Sequence, residues 1–165
     1  MMYMHHMSQK PALSGDPESF QPALQPGALI EVCLCHHTRR AARAVTRVFD
    51  EALLPTGLKA SQFNILAVIA ARDPTSAGEV ARLLAMDRTT LSRNLKPLKE
   101  EGYVTAGGGS GRRPDTLTLT REGSAILARA SLLWRTAQGE MTQRLGSNQS
   151  SILLQALEAA TRAAS

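Results

Sequence analysis

Residues 76–95 read SAGEVARLLAMDRTTLSRNL, and they decide the fold because they predict two short helices joined by a tight turn. Ser76 and Glu79 form a capping box, in which the serine hydroxyl accepts from the Glu79 amide and the carboxylate reaches back. Asp87 is well placed to cap the second helix, which we expect to span residues 88–101. This succession of elements is typical of a helix-turn-helix.

The apolar residues of both helices repeat at the spacing of one buried face. The positions expected to face inward are Val80, Ala81, Leu83, Leu84, Met86, Leu91, Leu95 and Leu98. Ala85 occupies the turn, where a small residue is needed and glycine is commoner. Pro97 should cost up to about 3 kcal/mol inside a helix. Because the leucine pattern continues past it, we still expect the helix to end only at a left-handed Gly102.

A basic hairpin follows the second helix directly. Residues 103–106 and 115–120 predict two short strands, and the second strand alternates polar and apolar side chains. The segment between them, GGGSGRRP at residues 107–114, is rich in glycine and contains Arg112 and Arg113. Two strands joined by such a loop predict a β-hairpin with a mobile basic tip, the wing of a winged helix.

Helical patterns flank this centre on both sides. Apolar residues recur at helical spacing over residues 29–54 and again from Ser61, which can cap the next helix. The inward stripe of that helix is expected to be Phe63, Leu66, Ile69 and Ala70. Thr120 can cap a long helix that ends before Gly146, and Ser147 begins a last helix. We therefore predict a mainly α fold, in which a winged helix-turn-helix lobe with a short β-hairpin wing accompanies a second helical region.

Composition agrees with packed helices and with a localised positive charge. The 165 residues are 43% apolar and only 4% aromatic, and their formal net charge is +5. More than half of that excess lies between Met86 and Arg113. No apolar run approaches the length of a membrane span, and the N-terminus lacks a signal pattern, so we expect a cytoplasmic protein with no membrane partner.

The exposed side of the second helix and the hairpin tip carry residue types that bind DNA. In a helix-turn-helix the second helix lies in the major groove, where arginine pairs with guanine and threonine bonds a base edge. Arginines of a wing can enter a narrow minor groove. The residues predicted to contact double-stranded DNA are Arg88, Thr89, Thr90, Ser92, Arg93, Lys96, Arg112 and Arg113.

The order of elements resembles that of the MarR family of bacterial regulators, and four motifs carry the likeness. They are ASQF at residues 60–63, MDRTTLSRNL at 86–95, EGYV at 101–104 and LTREG at 119–123. The resemblance implies a homodimer built from the first and last two helices, a pseudo-palindromic operator and a pocket for a small-molecule effector. It also implies a repressor that is released by a small effector or an oxidant.

We divide the chain into three parts. Residues 1–27, which are rich in proline and lack helical periodicity, predict a flexible N-terminal arm. The resemblance implies that residues 28–56 and 121–165 form a helical dimerisation region and residues 57–120 the winged helix-turn-helix DNA-binding lobe. Gly111 stands where the family often has an aspartate before two arginines. We therefore expect a looser wing, whose ordering on DNA costs more conformational entropy.

Two cysteines near the first helix leave three interpretations open. Cys33 and Cys35 are two residues apart on a predicted helix and cannot easily bridge each other. Cys33 and His37 face the same way and could share a metal, although a full ligand set needs further residues. A thiol near a helix N-terminus could instead be a redox switch. In the third interpretation, Cys33 is an apolar residue of an interface and Cys35 has no role. No cofactor is expected.

The sequence leaves two alternatives to DNA binding. Catalysis has little support, because the chain shows no recognisable nucleophile motif and no glycine-rich phosphate loop between a strand and a helix. A winged helix that makes only protein contacts is the second alternative.

For the effector, Arg39, Arg40 and Arg43 could bind the carboxylate of an aromatic or anionic compound, or they could form a solvated face.

Overall fold

The structure of the protein is a computed structural model that describes residues 26–107 and 116–164. The predicted flexible arm, apart from residues 26 and 27, and the predicted wing tip at residues 107–114, apart from Gly107, lie outside the described residues. The end of the predicted arm differs from expectation, because Pro26 begins helix α1. Proline suits the first turn of a helix, where its missing N–H would have no partner.

The fold is mainly helical with one small antiparallel sheet, as the sequence predicts. In chain order the elements are α1 (Pro26–Val32), α2 (Leu34–Leu53), α3 (Ala60–Ala71), β1 (Thr75–Ser76), α4 (Ala77–Leu83), α5 (Arg88–Glu100), β2 (Val104–Gly107), β3 (Thr116–Leu119), α6 (Arg121–Leu145) and α7 (Ser147–Ala163). A short 3-10 turn, Leu54–Thr56, follows α2. The described residues divide into two compact units, the first ending at Ala41 and the second beginning at Ala42.

The first unit contains a break between α1 and α2 at Cys33, where the sequence predicts one continuous helix. The Cys33 thiol accepts a hydrogen bond from the His36 amide, with Sγ and N 3.4 Å apart. Cys33 therefore occupies the N-cap position of α2, and its sulfur takes the place usually held by a serine or aspartate oxygen. Apolar periodicity continues across this residue, so the pattern alone does not reveal the break.

The sheet has three strands in the order β1–β3–β2. Val104 lies opposite Leu119 in the β2–β3 pair, which confirms the predicted hairpin. Thr75 of β1 lies opposite Leu117 of β3, and this third strand was not predicted. A strand of two residues is too short to show the alternation from which strands are predicted.

The predicted capping box at the start of α4 is half formed. The Ser76 hydroxyl accepts from the Glu79 amide at 3.2 Å, as expected. The Glu79 carboxylate, expected to bond the serine backbone, accepts instead from the hydroxyl of Thr75 at 3.2 Å. Thr75 is buried in the sheet, so this bond gives its hydroxyl the hydrogen-bond partner that water does not supply there.

The predicted cap of α3 is wrong. The helix begins one residue before Ser61, and the amide of Ala60 donates to the carboxylate of Asp50 at 2.7 Å. The Lys59 amide donates to the Gln62 side chain at 2.9 Å. These two side chains satisfy amides of the first turn, and the Ser61 hydroxyl is free to bond α5.

Helix α3 lies at the centre of the core and contacts α4, α5, α6 and β3. Ile65, Leu66 and Ile69 are fully buried. The predicted stripe is correct at Phe63, Leu66 and Ile69, but it omits Ile65 and includes Ala70, which is exposed. Because α3 is apolar on most of its sides, a pattern of one buried face describes it poorly.

No single helix among the described residues is both long and apolar enough to span a membrane. The pair Leu34–Thr56 and Ala60–Ala71 meets that requirement in length and composition only when its two helices are joined across a bend of 74°. The apolar character of the second helix of this pair follows from its place in the core.

The start of α6 lies directly on the backbone of Tyr103. The Thr120 hydroxyl caps α6 by accepting from the Gly123 amide at 2.9 Å, which confirms the predicted cap. The Thr120 amide donates to the Tyr103 carbonyl at 3.1 Å. A Cβ atom at Gly123 would overlap with the same carbonyl oxygen. Glycine is therefore required here by a close approach of two backbones.

We expect Gly123→Ala to lower the free energy of unfolding by about 1–3 kcal/mol, the usual cost of overpacking. Gly139→Ala in the same helix is the matched control, because a Cβ there meets nothing within 4 Å. Alanine should stabilise the control by up to about 1 kcal/mol. Urea unfolding followed by circular dichroism measures both variants, and equal stabilities would contradict the close approach.

Candidate nucleic-acid interface

The turn between α4 and α5 has a left-handed alanine at its centre. Ala85 has a φ of 48°, the only positive φ of a non-glycine residue among the described ranges. The Met86 amide donates to the Ala81 carbonyl at 2.9 Å, which ends α4 and reverses the chain. The left-handed conformation costs an alanine about 1–2 kcal/mol. The predicted tight turn is present despite this cost and without a glycine.

Leu83, expected to face inward, is instead 38% exposed.

Asp87 caps α5, as predicted. Its carboxylate accepts from the Thr90 amide at 2.8 Å and from the Thr90 hydroxyl at 2.6 Å. The hydrogen bond from the threonine side chain, followed by that from its amide, lowers the pKa of Asp87 below its usual value. The hydroxyl of Thr90, a predicted DNA contact, is therefore engaged in the cap, and this fixes the start of the helix.

The predicted reading residues share one exposed edge of α5. Arg88, Thr89, Ser92 and Arg93 are all exposed. Another side of the helix is buried, and its buried residues are Leu91, Leu95 and Leu98. Burial of the leucines thus holds the arginines and hydroxyls toward solvent.

Lys96 is the one predicted DNA contact that the described residues place in an ion pair. Its Nζ lies 3.8 Å from the Glu100 carboxylate, and the two side chains are 74% and 62% exposed. A surface pair of this kind contributes about 0–1 kcal/mol. A phosphate could therefore replace the glutamate as the partner of Lys96 at little cost.

A groove of about 810 Å³ runs along α5 beside the start of α4. Its lining includes the apolar residues Leu91 and Leu95 and the cationic residues Arg88, Lys96 and Lys99, together with the acidic Glu100. DNA presents both phosphate anions and thymine methyl groups to a helix in its major groove. The groove thus offers contacts for both.

Helix α5 continues through Pro97, as the leucine pattern predicts. The Glu101 amide donates to the Pro97 carbonyl at 2.9 Å, and the Tyr103 amide donates to the Leu98 carbonyl at 2.9 Å. Gly102 has a φ of 72° and supplies the predicted left-handed end.

The sequence did not identify Asn94 as part of this surface. Asn94 is half-buried, and its side chain accepts from the Ser61 hydroxyl at 2.7 Å. Its amide group donates to the Thr90 carbonyl at 2.8 Å. The one signal in the sequence is a polar residue beside the leucine face, and this signal does not indicate a partner 33 residues away.

The described part of the wing consists of its two strands. The hydroxyls of Thr105 and Thr118 lie 2.9 Å apart across the strands. Arg112, Arg113 and the atypical Gly111 belong to the segment outside the described residues. Their predicted contact with a minor groove stays a prediction.

Both cysteines have free thiols; Cys33 is half-buried and Cys35 is exposed. The ring of His37 hydrogen-bonds the Glu31 carbonyl through Nε2 at 2.8 Å. Within the described ranges, no group of three or more histidine, cysteine or acidic side chains could hold a metal. The structure therefore offers no described ligand set for the pairing of Cys33 with His37.

Comparison with known proteins finds a family model and relatives that match the part of the chain carrying this surface. A family model described as MarR family matches residues 56–113. The chain is 30% identical over 89 residues to YwoH of Bacillus subtilis (strain 168), an uncharacterised HTH-type transcriptional regulator. That match covers 54% of this chain and 65% of the length of YwoH.

Two similar proteins have been solved with DNA bound. The M. tuberculosis transcriptional regulator MosR in complex with DNA is 38% identical, with a TM-score of 0.64, and the match covers 78% of this chain and 98% of MosR. The transcriptional repressor CouR bound to a 23-mer DNA duplex is 30% identical, with a TM-score of 0.73, covering 84% and 98%. CouR has also been solved bound to p-coumaroyl-CoA. These matches extend well beyond the helix-turn-helix.

Asp87→Ala should lower the melting temperature at neutral pH, because it removes both acceptors of Thr90. Since the folded state lowers the pKa of Asp87, its stabilisation is full above the ordinary aspartate range and is lost as the pH falls through the lowered pKa. The difference in melting temperature between wild type and variant should thus shrink in acid. Asp73→Ala, at an exposed aspartate, is the control. A difference that persists at acid pH would contradict the cap.

Proposed function

We propose that this chain, which belongs to the MarR family of transcriptional regulators, binds double-stranded DNA sequence-specifically through α5 and its wing. The observation that carries the proposal is the exposed edge of α5, where Arg88, Thr89, Ser92 and Arg93 meet solvent while the leucines of the same helix are buried. Arginine can bond guanine with two hydrogen bonds, and the hydroxyls can bond base edges. The proposed DNA binding is consistent with the cytoplasmic location expected from the sequence.

Phosphate contacts supply the rest of the proposed interface. Lys96 and Lys99 lie farther along α5 and are exposed, so they are suited to the DNA backbone. Arg112 and Arg113 extend the positive charge into the wing. Backbone contacts set the position of the protein, and base contacts give its sequence preference.

The proposed active form is a homodimer that covers the apolar face of α7. Ile152, Leu153, Leu154 and Leu157 are 51%, 40%, 57% and 42% exposed in the single chain. Adjacent exposed apolar residues on one helix indicate a surface that another chain covers. Two-fold pairing would present two copies of α5 to a pseudo-palindromic site. A monomer in sedimentation equilibrium at micromolar concentration would contradict this part of the proposal.

The proposed regulator is a repressor that a small effector releases. The support is by similarity, since the repressor CouR is known both with DNA and with p-coumaroyl-CoA. Binding of an effector to a form that holds DNA poorly would shift the population away from the operator. Electrophoretic mobility of an operator complex titrated with aromatic acids and their thioesters tests the effector class.

An oxidant is the second candidate signal, favoured by the position of Cys33 at the N-cap of α2. Oxidation of that sulfur would change the group that accepts from the His36 amide. We expect peroxide to release DNA from the wild type and to release less from Cys33→Ser, whose hydroxyl retains a capping acceptor. Equal release from both proteins would remove Cys33 as the switch.

Titration with salt separates DNA binding from a winged helix that makes only protein contacts. We expect the affinity for an operator selected from random duplexes to fall steeply as salt rises, because phosphate contacts release counterions. Fluorescence anisotropy from about 50 to 200 mM salt measures the slope. Absence of a specific complex even at low salt would refute the proposed function.

Arg88→Ala should cost about 1–3 kcal/mol in binding to the selected operator and relax the preference at one base pair. Arg129→Ala is the matched control, because Arg129 is also exposed but lies on α6. Binding measured against single-base operator variants gives the preference at each position. A preference in Arg88→Ala identical to that of the control would show that Arg88 reads no base.

A further inference from the structure

We propose that the Ser61–Asn94 contact sets how α5 presents its first turn, so that these two residues are positioning residues for sequence discrimination. The inference rests on the proposed function for its meaning in DNA recognition. Neither residue lies on the exposed reading edge, since both are half-buried. Their effect on recognition is therefore exerted through α5.

Asn94 is bound at both ends of its side-chain amide. Its Oδ1 accepts from the Ser61 hydroxyl at 2.7 Å, which joins α5 to the first turn of α3. Its Nδ2 donates to the Thr90 carbonyl at 2.8 Å, one turn nearer to the start of α5. The asparagine thus connects the central helix of the core to the turn that carries Arg88 and Thr89.

This contact supplies a restraint that the leucine face of α5 lacks. Burial of apolar surface is non-directional, so it favours contact with the core without fixing one angle of the helix. A hydrogen bond weakens steeply when its geometry departs from linear, and it therefore favours a narrow range of orientations. The Thr90 amide and hydroxyl are in turn bound by Asp87, so the restraint continues to the N-cap.

A further hydrogen bond, joined to this contact through the backbone of α3, reaches α2. The amide of Ala60, the residue before Ser61, donates to the Asp50 carboxylate at 2.7 Å. Asp50, Ala60, Ser61, Asn94 and Thr90 thus form one connected series from α2 through α3 to α5. A shift of α2 against α3 would act on the first turn of α5 through this series.

The test compares the ratio of affinities for the selected operator and for a scrambled duplex of equal length. Ser61→Ala should lower this ratio about threefold to tenfold, the worth of one hydrogen bond, with little change in affinity for the scrambled duplex. Ser61→Thr keeps the hydroxyl and should keep most of the discrimination. Asn64→Ala, at an exposed asparagine of the same helix, is the matched control and should leave the ratio unchanged.

Two results would overturn the proposal. One is an unchanged ratio in Ser61→Ala, and the other is an equal fall in Asn64→Ala, which would indicate a general loss of structure. In a double-mutant cycle, Asn94→Leu added to Ser61→Ala should lower the ratio less than the sum of the two single effects. Full additivity would also count against the contact.

A readout without DNA keeps this inference separate from the proposed function. Amide hydrogen exchange in the segment 87–95 should be faster in Ser61→Ala than in Asn64→Ala, because the first turn of α5 opens more easily. If the wild type fails to bind DNA while this difference is present, the proposed function fails and the positioning of α5 stands. Equal exchange in the two variants would overturn the positioning itself.

Discussion

The burial of α3 is the constraint on which the second unit depends. Ile65, Leu66 and Ile69 are fully buried, and α3 contacts α4, α5, α6 and β3. Because α3 and α5 are in contact, the placement of α5 follows from how its leucines meet α3. The proposed reading edge is exposed, while the leucines of the same helix are buried in the core. The same helix thus contributes to stability and carries the residues proposed to read DNA.

Helix caps and turns set by neighbouring residues were predictable from the sequence, because the interactions that form them join residues only a few positions apart. The caps at Asp87 and Thr120, the left-handed Gly102 and the turn at Ala85 all follow from a few adjacent residues. The side of α5 that carries the proposed reading residues was predictable for the same reason, since the leucine spacing fixes which side is buried.

Features set by distant residues were not predictable from patterns. The strand β1 exists because β3 lies beside it, and the bond between Ser61 and Asn94 exists because α3 and α5 cross. The break at Cys33 is local and was also missed, because it depends on a thiol acting as a helix cap, which is an unusual role for cysteine. Ile65 was missed because a helix buried on several sides lacks the one-sided spacing that marks a surface helix.

The exposed face of α7 links the folding of this protein to its abundance. Four large apolar side chains there meet water in the single chain. Any partner that covers them adds its binding free energy to that of folding, so the folded fraction rises with the concentration of the partner. If the partner is a second copy, a scarce regulator is also a less stable one, and proteolysis would remove it faster as its level falls. The amount of regulator in the cell would then respond to changes in synthesis more steeply than in direct proportion.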